Sequence, residues 1–220
     1  MSFDPVWEKV FSTRAWGKYP ELAVVRFIAR NFYSTPERKD IKILEIGCGT
    51  GANLWFYGKE GFSVYGIDGS KTAIEIANSR LNQECPNWVG KLSIGDFAKL
   101  DFSDNFFDVV VDSAAVCTNN FENATIAYEE AHRVLKPNGK LLVITFADGS
   151  WGDGTGKKLA DGEYECSEGP VVGLGLARFT RKEKIPQLLH KFKIDSIEMN
   201  TQSYENMTKQ VKEWIITAHK

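Results

Sequence analysis

The sequence predicts an α/β domain whose mostly parallel sheet is wound with helices on both faces. Three observations predict it. Short apolar runs alternate with longer stretches of helical period through the middle of the chain, the rhythm of strands joined by crossover helices. The run at Phe107 to Val111 is rich in valine, as a strand buried on both faces should be. Glycines follow directly on the first run, at Gly47, Gly49 and Gly51, where a strand must turn sharply into a helix.

The elements follow in order. A helix-like Glu21 to Asn31 precedes Ile41-Lys42-Ile43-Leu44-Glu45-Ile46, the first strand. A helix through Asn53 to Glu60 closes at Gly61, and Ser63 to Ile67 is the second strand. Ser70 is placed to cap the helix Lys71 to Asn82, whose Ile74, Ala77 and Leu81 share one face. Lys91 to Ile94 is a brief third strand and Phe107 to Val111 the fourth. A helix from Ala124 to Leu135 stops at Lys136-Pro137-Asn138-Gly139, and Lys140 to Phe146 is the fifth strand. Thr180 to Phe192 reads as a further helix, with Thr180 and Glu183 in capping-box spacing and Pro186 set to kink or delay it. Lys193 to Thr201 and Val211 to Ala218 close the sheet as an antiparallel edge hairpin, giving seven strands.

The 220 residues form one domain, long enough to bury roughly 70–75% of the unfolded surface. Its parts are an N-terminal helical cap over 1–40, a cofactor-binding core over 41–146, and a closing helix and hairpin over 180–220. Residues 147–179 stand apart. Eight glycines fall between Asp148 and Gly175 without periodicity, the pattern of a lid or substrate loop.

Twenty-seven basic and 29 acidic residues leave a formal charge of −2, which argues against a nucleic-acid face. No apolar stretch approaches the ~20 residues that span a bilayer, and the N-terminus shows no signal-peptide pattern. The sequence therefore places the chain in the cytoplasm. Cys48, Cys85, Cys117 and Cys166 form no CxxC, and His132, His190 and His219 have no ligand spacing. Neither a metal site nor a disulfide framework is expected.

The glycine turn carries the chemistry. Bare amides and the positive end of the following helix suit an anionic or polar ligand. Gly47, Gly49 and Ala52 fit the dinucleotide pattern G-x-G-x-x-A, and Asp68 stands 21 residues beyond Gly47, where a ribose-binding acid belongs. A nicotinamide oxidoreductase is one reading. Glu45 favours another. A carboxylate at the end of a buried strand suits a ligand bearing an ammonium or sulfonium, and suits a pyrophosphate poorly.

Glu45-x-Gly47-x-Gly49-x-Gly51 resembles the first motif of class I S-adenosylmethionine-dependent methyltransferases, which have a Rossmann-like fold. The resemblance continues in order. Asp68 (with Gly69 beside it) matches the acid that holds the cofactor ribose, and Gly95-Asp96-Phe97 resembles the motif that reads the adenine. Phe107-Asp108-Val109-Val110-Val111-Asp112-Ser113 resembles the strand whose end faces the methionine part. Arg133-Val134-Leu135-Lys136-Pro137-Asn138-Gly139 resembles the turn before the fifth strand, with Asn138 where the family usually has glycine. The resemblance implies S-adenosylmethionine as cofactor, held by Glu45, Gly47, Cys48, Gly49, Gly51, Asp68, Gly69, Asp96, Phe97, Asp112 and Ser113.

The implied reaction is methyl transfer to an O or N nucleophile of a small molecule. Alignment alone can supply about 7–11 kcal/mol of such a barrier. No residue declares itself as a general base; the candidates are Asp112, Cys117 and Asn119 after the fourth strand and Asp148 after the fifth. Substrate contacts are expected from Arg14, Trp16 and Tyr19, and from Cys117, Asn119 and Arg178. Asp112-Ser113-Ala114-Ala115, the glycine-rich segment near Arg178 and the ending Glu213 to Ala218 more loosely resemble methyltransferases of bacterial surface-sugar biosynthesis. A cofactor-binding scaffold without activity is the remaining alternative.

Overall fold

The computed structural model describes residues 3–220; Met1 and Ser2, where the leader reading starts, lie outside them. Helices α1 (Val6–Thr13) and α2 (Leu22–Phe32) precede the sheet. The core then runs β1 (Lys42–Ile46), α3 (Ala52–Lys59), β2 (Ser63–Asp68), α4 (Lys71–Glu84), β3 (Val89–Ile94), β4 (Phe107–Ser113), α5 (Phe121–Val134) and β5 (Leu135–Phe146). A small antiparallel sheet follows, β6 (Lys157–Ala160), β7 (Glu163–Glu165) and β8 (Leu176–Arg178). The single-turn α6 (Ile185–Leu188), β9 (Lys193–Tyr204) and β10 (Lys209–His219) complete the chain.

The large sheet has seven strands in the order β3-β2-β1-β4-β5-β10-β9. The first five are parallel. β10 lies antiparallel between β5 and the edge strand β9. Alternation along the strands divides the core, because successive side chains leave opposite faces of a sheet. Leu44, Ile46, Val110, Leu141 and Val143 pack beneath α5 and α6. Ile43, Val64, Val109, Val111 and Leu142 pack beneath α2, α3 and α4. Ser70 caps α4 by accepting from Ala73 N at 3.0 Å, and Asn120 caps α5 by accepting from Asn123 N at 2.8 Å.

Three local expectations change. The segment Thr180 to Phe192 holds only one α-helical turn. Thr180 pairs with Ala147 as an isolated bridge, and Pro186 fits only in the first turn. The turn Lys136 to Gly139 lies inside β5 as a bulge: Phe107 pairs with Leu135 and Val109 with Lys140. Asn138 takes φ +63° there, a conformation asparagine tolerates better than most residues. The glycine-rich 148–175 is an ordered sheet whose loops turn at left-handed glycines. Its Cys166, Val171 and Leu174, with Ala177 and Phe179 just beyond, form a third apolar cluster with Val10 of α1.

Candidate active site

A cavity of about 260 Å³ opens above the carboxyl ends of β1, β2 and β4. β1 and β4 are neighbours whose chains continue to opposite sides, the position where open α/β sheets take ligands. Its floor is the glycine turn. Gly47 and Gly49 have φ +66° and +51°, and a Cβ on Gly47 would overlap that of Ala115. The turns after β1 and β4 can therefore converge only at a glycine. Ala114, itself left-handed at φ +57°, brings the β4 end across the mouth with Ser113 and Ala115.

Glu45 ends β1 and is 3% exposed. Its Oε1 accepts from Asn53 Nδ2 at 2.7 Å, and Oε2 has no partner. Burial, with Asp112 and Asp68 adding repulsion against the help of Asn53, pushes its carboxyl up to about 8. Asn53 also accepts from Glu21 N at 2.9 Å, tying the start of α2 to the site. Asp68 accepts from Gly49 N and Ser70 N, each at 2.8 Å. It fastens the glycine turn to the end of β2, and a carboxylate has about four lone-pair positions, so room remains for further donors. Burial raises its pKa, opposed by those two amides.

The roof is N-terminal. Phe3, Asp4, Trp7, Phe11, Trp16 and Tyr19 line the cavity. The Trp7, Phe11 and Trp16 rings meet pairwise at 5.5–5.8 Å between centroids. Phe3 lies on Gly69, where any Cβ would overlap its ring. Glu8 holds this roof down by accepting from the Ser70 and Thr72 hydroxyls, at the amino end of α4 where a negative charge is favoured. Those bonds lower its pKa.

Of the residues expected from sequence, Glu45, Gly47, Cys48, Gly49, Asp68, Gly69, Phe97, Ser113, Trp16, Tyr19 and Asn119 line the cavity. The others stand elsewhere. Gly51 faces α4, where a Cβ would come within 2.9 Å of Ala77. Asp96 accepts from Ala98 N within its own turn. Arg14 is exposed beyond α1.

Asp112 is fully buried beneath the cavity, accepting from Ala115 N, Val116 N and Tyr128 Oη. Its carboxylate fixes the loop after β4 and does not line the cavity, away from where a candidate base was expected. Cys117 is buried, and burial first, then Asp112, pushes its thiol up to about 12. Arg178 is 2% exposed and donates to the carbonyls of Val116, Asn119 and Asn120. Those bonds are made by Nη1, Nη2 is buried without a partner, and Arg178 does not line the cavity where it was expected to meet a substrate. None of residues 147–179 lines the cavity, so the expected lid is a buttress.

The sequence reading missed Asn53, Glu21 and α1. The spacing of Trp7, Val10 and Phe11 was the available signal for α1, since i, i+3 and i+4 share a helix face. The cavity discriminates between ligands by charge. Asp4, Glu21, Glu45 and Asp68 line it, and no lysine, arginine or histidine does so among the described residues. A pyrophosphate would meet carboxylates without a counter-cation, whereas a ligand with ammonium, sulfonium and ribose hydroxyls fits.

Residues 44–143 match the model of the methyltransferase domain family. The demethylmenaquinone methyltransferase of Tropheryma whipplei (strain Twist) is 35% identical over 106 residues, 48% of this chain and 42% of that protein. The chain thus spans less than half the length of this curated relative. A Methanosarcina mazei S-adenosylmethionine-dependent methyltransferase structure aligns at TM-score 0.66 and 21% identity, covering 83% of this chain and 93% of the other. The Burkholderia thailandensis 1,6-didemethyltoxoflavin-N1-methyltransferase aligns at 0.65 and 16%, covering 90% and 76%. Likeness at such low identity carries the fold. With the matched domain over residues 44–143 and the ordered motifs on this fold, the chain is similar to the class I S-adenosylmethionine-dependent methyltransferases.

Proposed function

We propose that the protein transfers a methyl group from S-adenosylmethionine to an oxygen or nitrogen nucleophile of a small molecule, a sugar derivative among the possible acceptors. The observation that carries this reading is Glu45, buried at the glycine turn with one oxygen on Asn53 and the other without a partner. An orphaned carboxylate oxygen at a cavity wall is costly until a cation meets it.

When bound, the cofactor supplies an electrophilic methyl carbon on a cationic sulfur. The chain's own residues bind, orient and exclude water. Glu45 would receive the ammonium, and Asp68 the ribose hydroxyls while keeping Gly49 in place. Phe97 would pack on the adenine. Trp7, Phe11 and Trp16 would cover the reacting atoms and hold the acceptor in line, where alignment is worth about 7–11 kcal/mol.

Calorimetry with S-adenosylmethionine and with NAD, across pH 5.5–8.5, tests this. Glu45 must be ionised to meet a cation, so affinity for S-adenosylmethionine should rise toward pH 8. Glu45→Gln should bind more weakly and abolish that rise. The sign for the free protein is opposite. A carboxyl raised from 4.5 to about 8 by burial stabilises the fold below 4.5, and that stability is lost as pH rises to about 8. Glu45→Gln should flatten this loss. Tight NAD binding with no heat from S-adenosylmethionine would overturn the reading.

A further inference from the structure

The cavity's charge pattern says more about the acceptor than the cofactor alone requires. Glu45 and Asp68 lie deep, at the ends of β1 and β2. Asp4 and Glu21 line the same cavity from the N-terminal segment, and neither is needed by the cofactor contacts proposed above. Beside them stand Trp7, Trp16 and Tyr19. Trp16 is 43% exposed and Tyr19 74%, a large apolar area left in water at the mouth of a site. Aromatic faces backed by carboxylates attract a cation and repel an anion. The groups that would suit an anionic acceptor are missing. No basic side chain lines the cavity among the described residues. Asp112 and Cys117, the groups nearest to serving as a base after β4, are sealed beneath it by their own hydrogen bonds and burial.

Resting on the methyltransferase reading, we propose that the acceptor is a small amine, recognised as its ammonium by Asp4, Glu21 and the Trp7–Trp16–Tyr19 rings. After loss of one proton to water through the open mouth, the nitrogen lone pair forms the N–C bond to the methyl. The C–S bond breaks with its electron pair retained by sulfur, leaving neutral S-adenosylhomocysteine. The second proton of the alkylated nitrogen stays on the product as an ammonium or leaves to water. An amine needs no strongly basic side chain for this step, which matches a cavity that offers none.

The test uses the full chain loaded with S-adenosylhomocysteine and three probes of one shape: benzylamine, benzyl alcohol and benzoate, compared at pH 7.5 by ligand-observed NMR titration. Benzylamine should bind at least about tenfold more tightly than benzyl alcohol, with benzoate weakest. The double variant Asp4→Asn, Glu21→Gln keeps the Asp4 oxygen that accepts from Val6 N at 2.9 Å. It should erase that preference while leaving benzyl alcohol and S-adenosylhomocysteine affinities unchanged. Equal binding of the three probes, preference for the alcohol or the acid, or no binding of any of them would overturn the amine assignment. Absence of S-adenosylhomocysteine binding would instead overturn the methyltransferase reading on which it rests.

Discussion

The segment Phe3 to Glu21 and the glycine-rich stretch from Asp148 to Gly175 look alike in sequence: both carry aromatics and charges and both fall outside the alternation of strands and crossover helices. In the fold they do opposite jobs. The first forms the roof of the cavity through α1 and the residues up to Tyr19. The second never reaches it and works from behind. Val171 and Leu174 pack against Val10 of α1, and Gly175 leaves room for Asp4, whose carboxylate a Cβ there would overlap. From the other side, Arg178 holds three carbonyls of the loop after β4, and Glu163 accepts from Phe121 N at 2.7 Å at the start of α5. Thr118 and Asn119, which do line the cavity, are thus positioned by residues that do not. Aromatic and charged residues in an irregular segment mark a functional neighbourhood without saying whether they touch the ligand.

Arg178→Met gives the sharpest separation. Removing a buried cation from three carbonyls, with Asp112 buried nearby, is expected to cost about 3–5 kcal/mol in chemical denaturation. Acceptor KM should change little in the fraction that remains folded. A stable variant with a raised KM would return Arg178 to the substrate and erase the contrast between the regions.

Glu8→Ala should cost about 1–2 kcal/mol, because the Ser70 and Thr72 hydroxyls lose their acceptor and α1 its tether. Hydrogen exchange should speed up in residues 3–20 and stay unchanged in β6 to β8. The pH dependence has a definite sign. A carboxyl held below its ordinary value by the Ser70 and Thr72 hydroxyls stabilises the fold above the unfolded pKa of 4.5. That contribution is lost as pH falls below 4.5 through the folded pKa, and the variant should lack this part of the acid response.

Trp16→Ala reverses the pattern of Arg178. Stability should fall by about 1 kcal/mol or less, since the ring is half exposed and loses only edge contacts. Acceptor KM should rise severalfold. Smallest of all is Lys157→Ala on the outer face of the small sheet, where the pair with Glu165 is exposed on both sides. A change within about 0.5 kcal/mol and no kinetic effect are expected; a kinetic effect there would show that the small sheet moves over the cavity.

The core was readable because its signals are local. Glycines after a buried strand, Ser70 before α4 and alternation along the strands each act within a few residues, and the structure puts β1, β2, β4 and their turns where the pattern placed them. The single turn of α6 and the bulge in β5 were harder. Pro186 and Asn138 announced irregularity without fixing its extent. For Asp112, the same local signal misled. A carboxylate after an apolar strand needs a partner, and the sequence could not say that the partner was Tyr128, 16 residues on in α5.

By itself the sequence determined the sheet of parallel strands, the glycine turn with Glu45 and Asp68, and the kind of cofactor these residues suit. These depend on backbone conformations and spacings that a few adjacent residues dictate. Which irregular segment roofs the cavity, and which carboxylates remain for an acceptor, was decided only by tertiary structure. Such choices turn on which distant side chains are already satisfied. Burial and hydrogen bonding withdrew Asp112, Cys117 and Arg178 from the surface, and packing of α1 brought Asp4 and Trp7 to it.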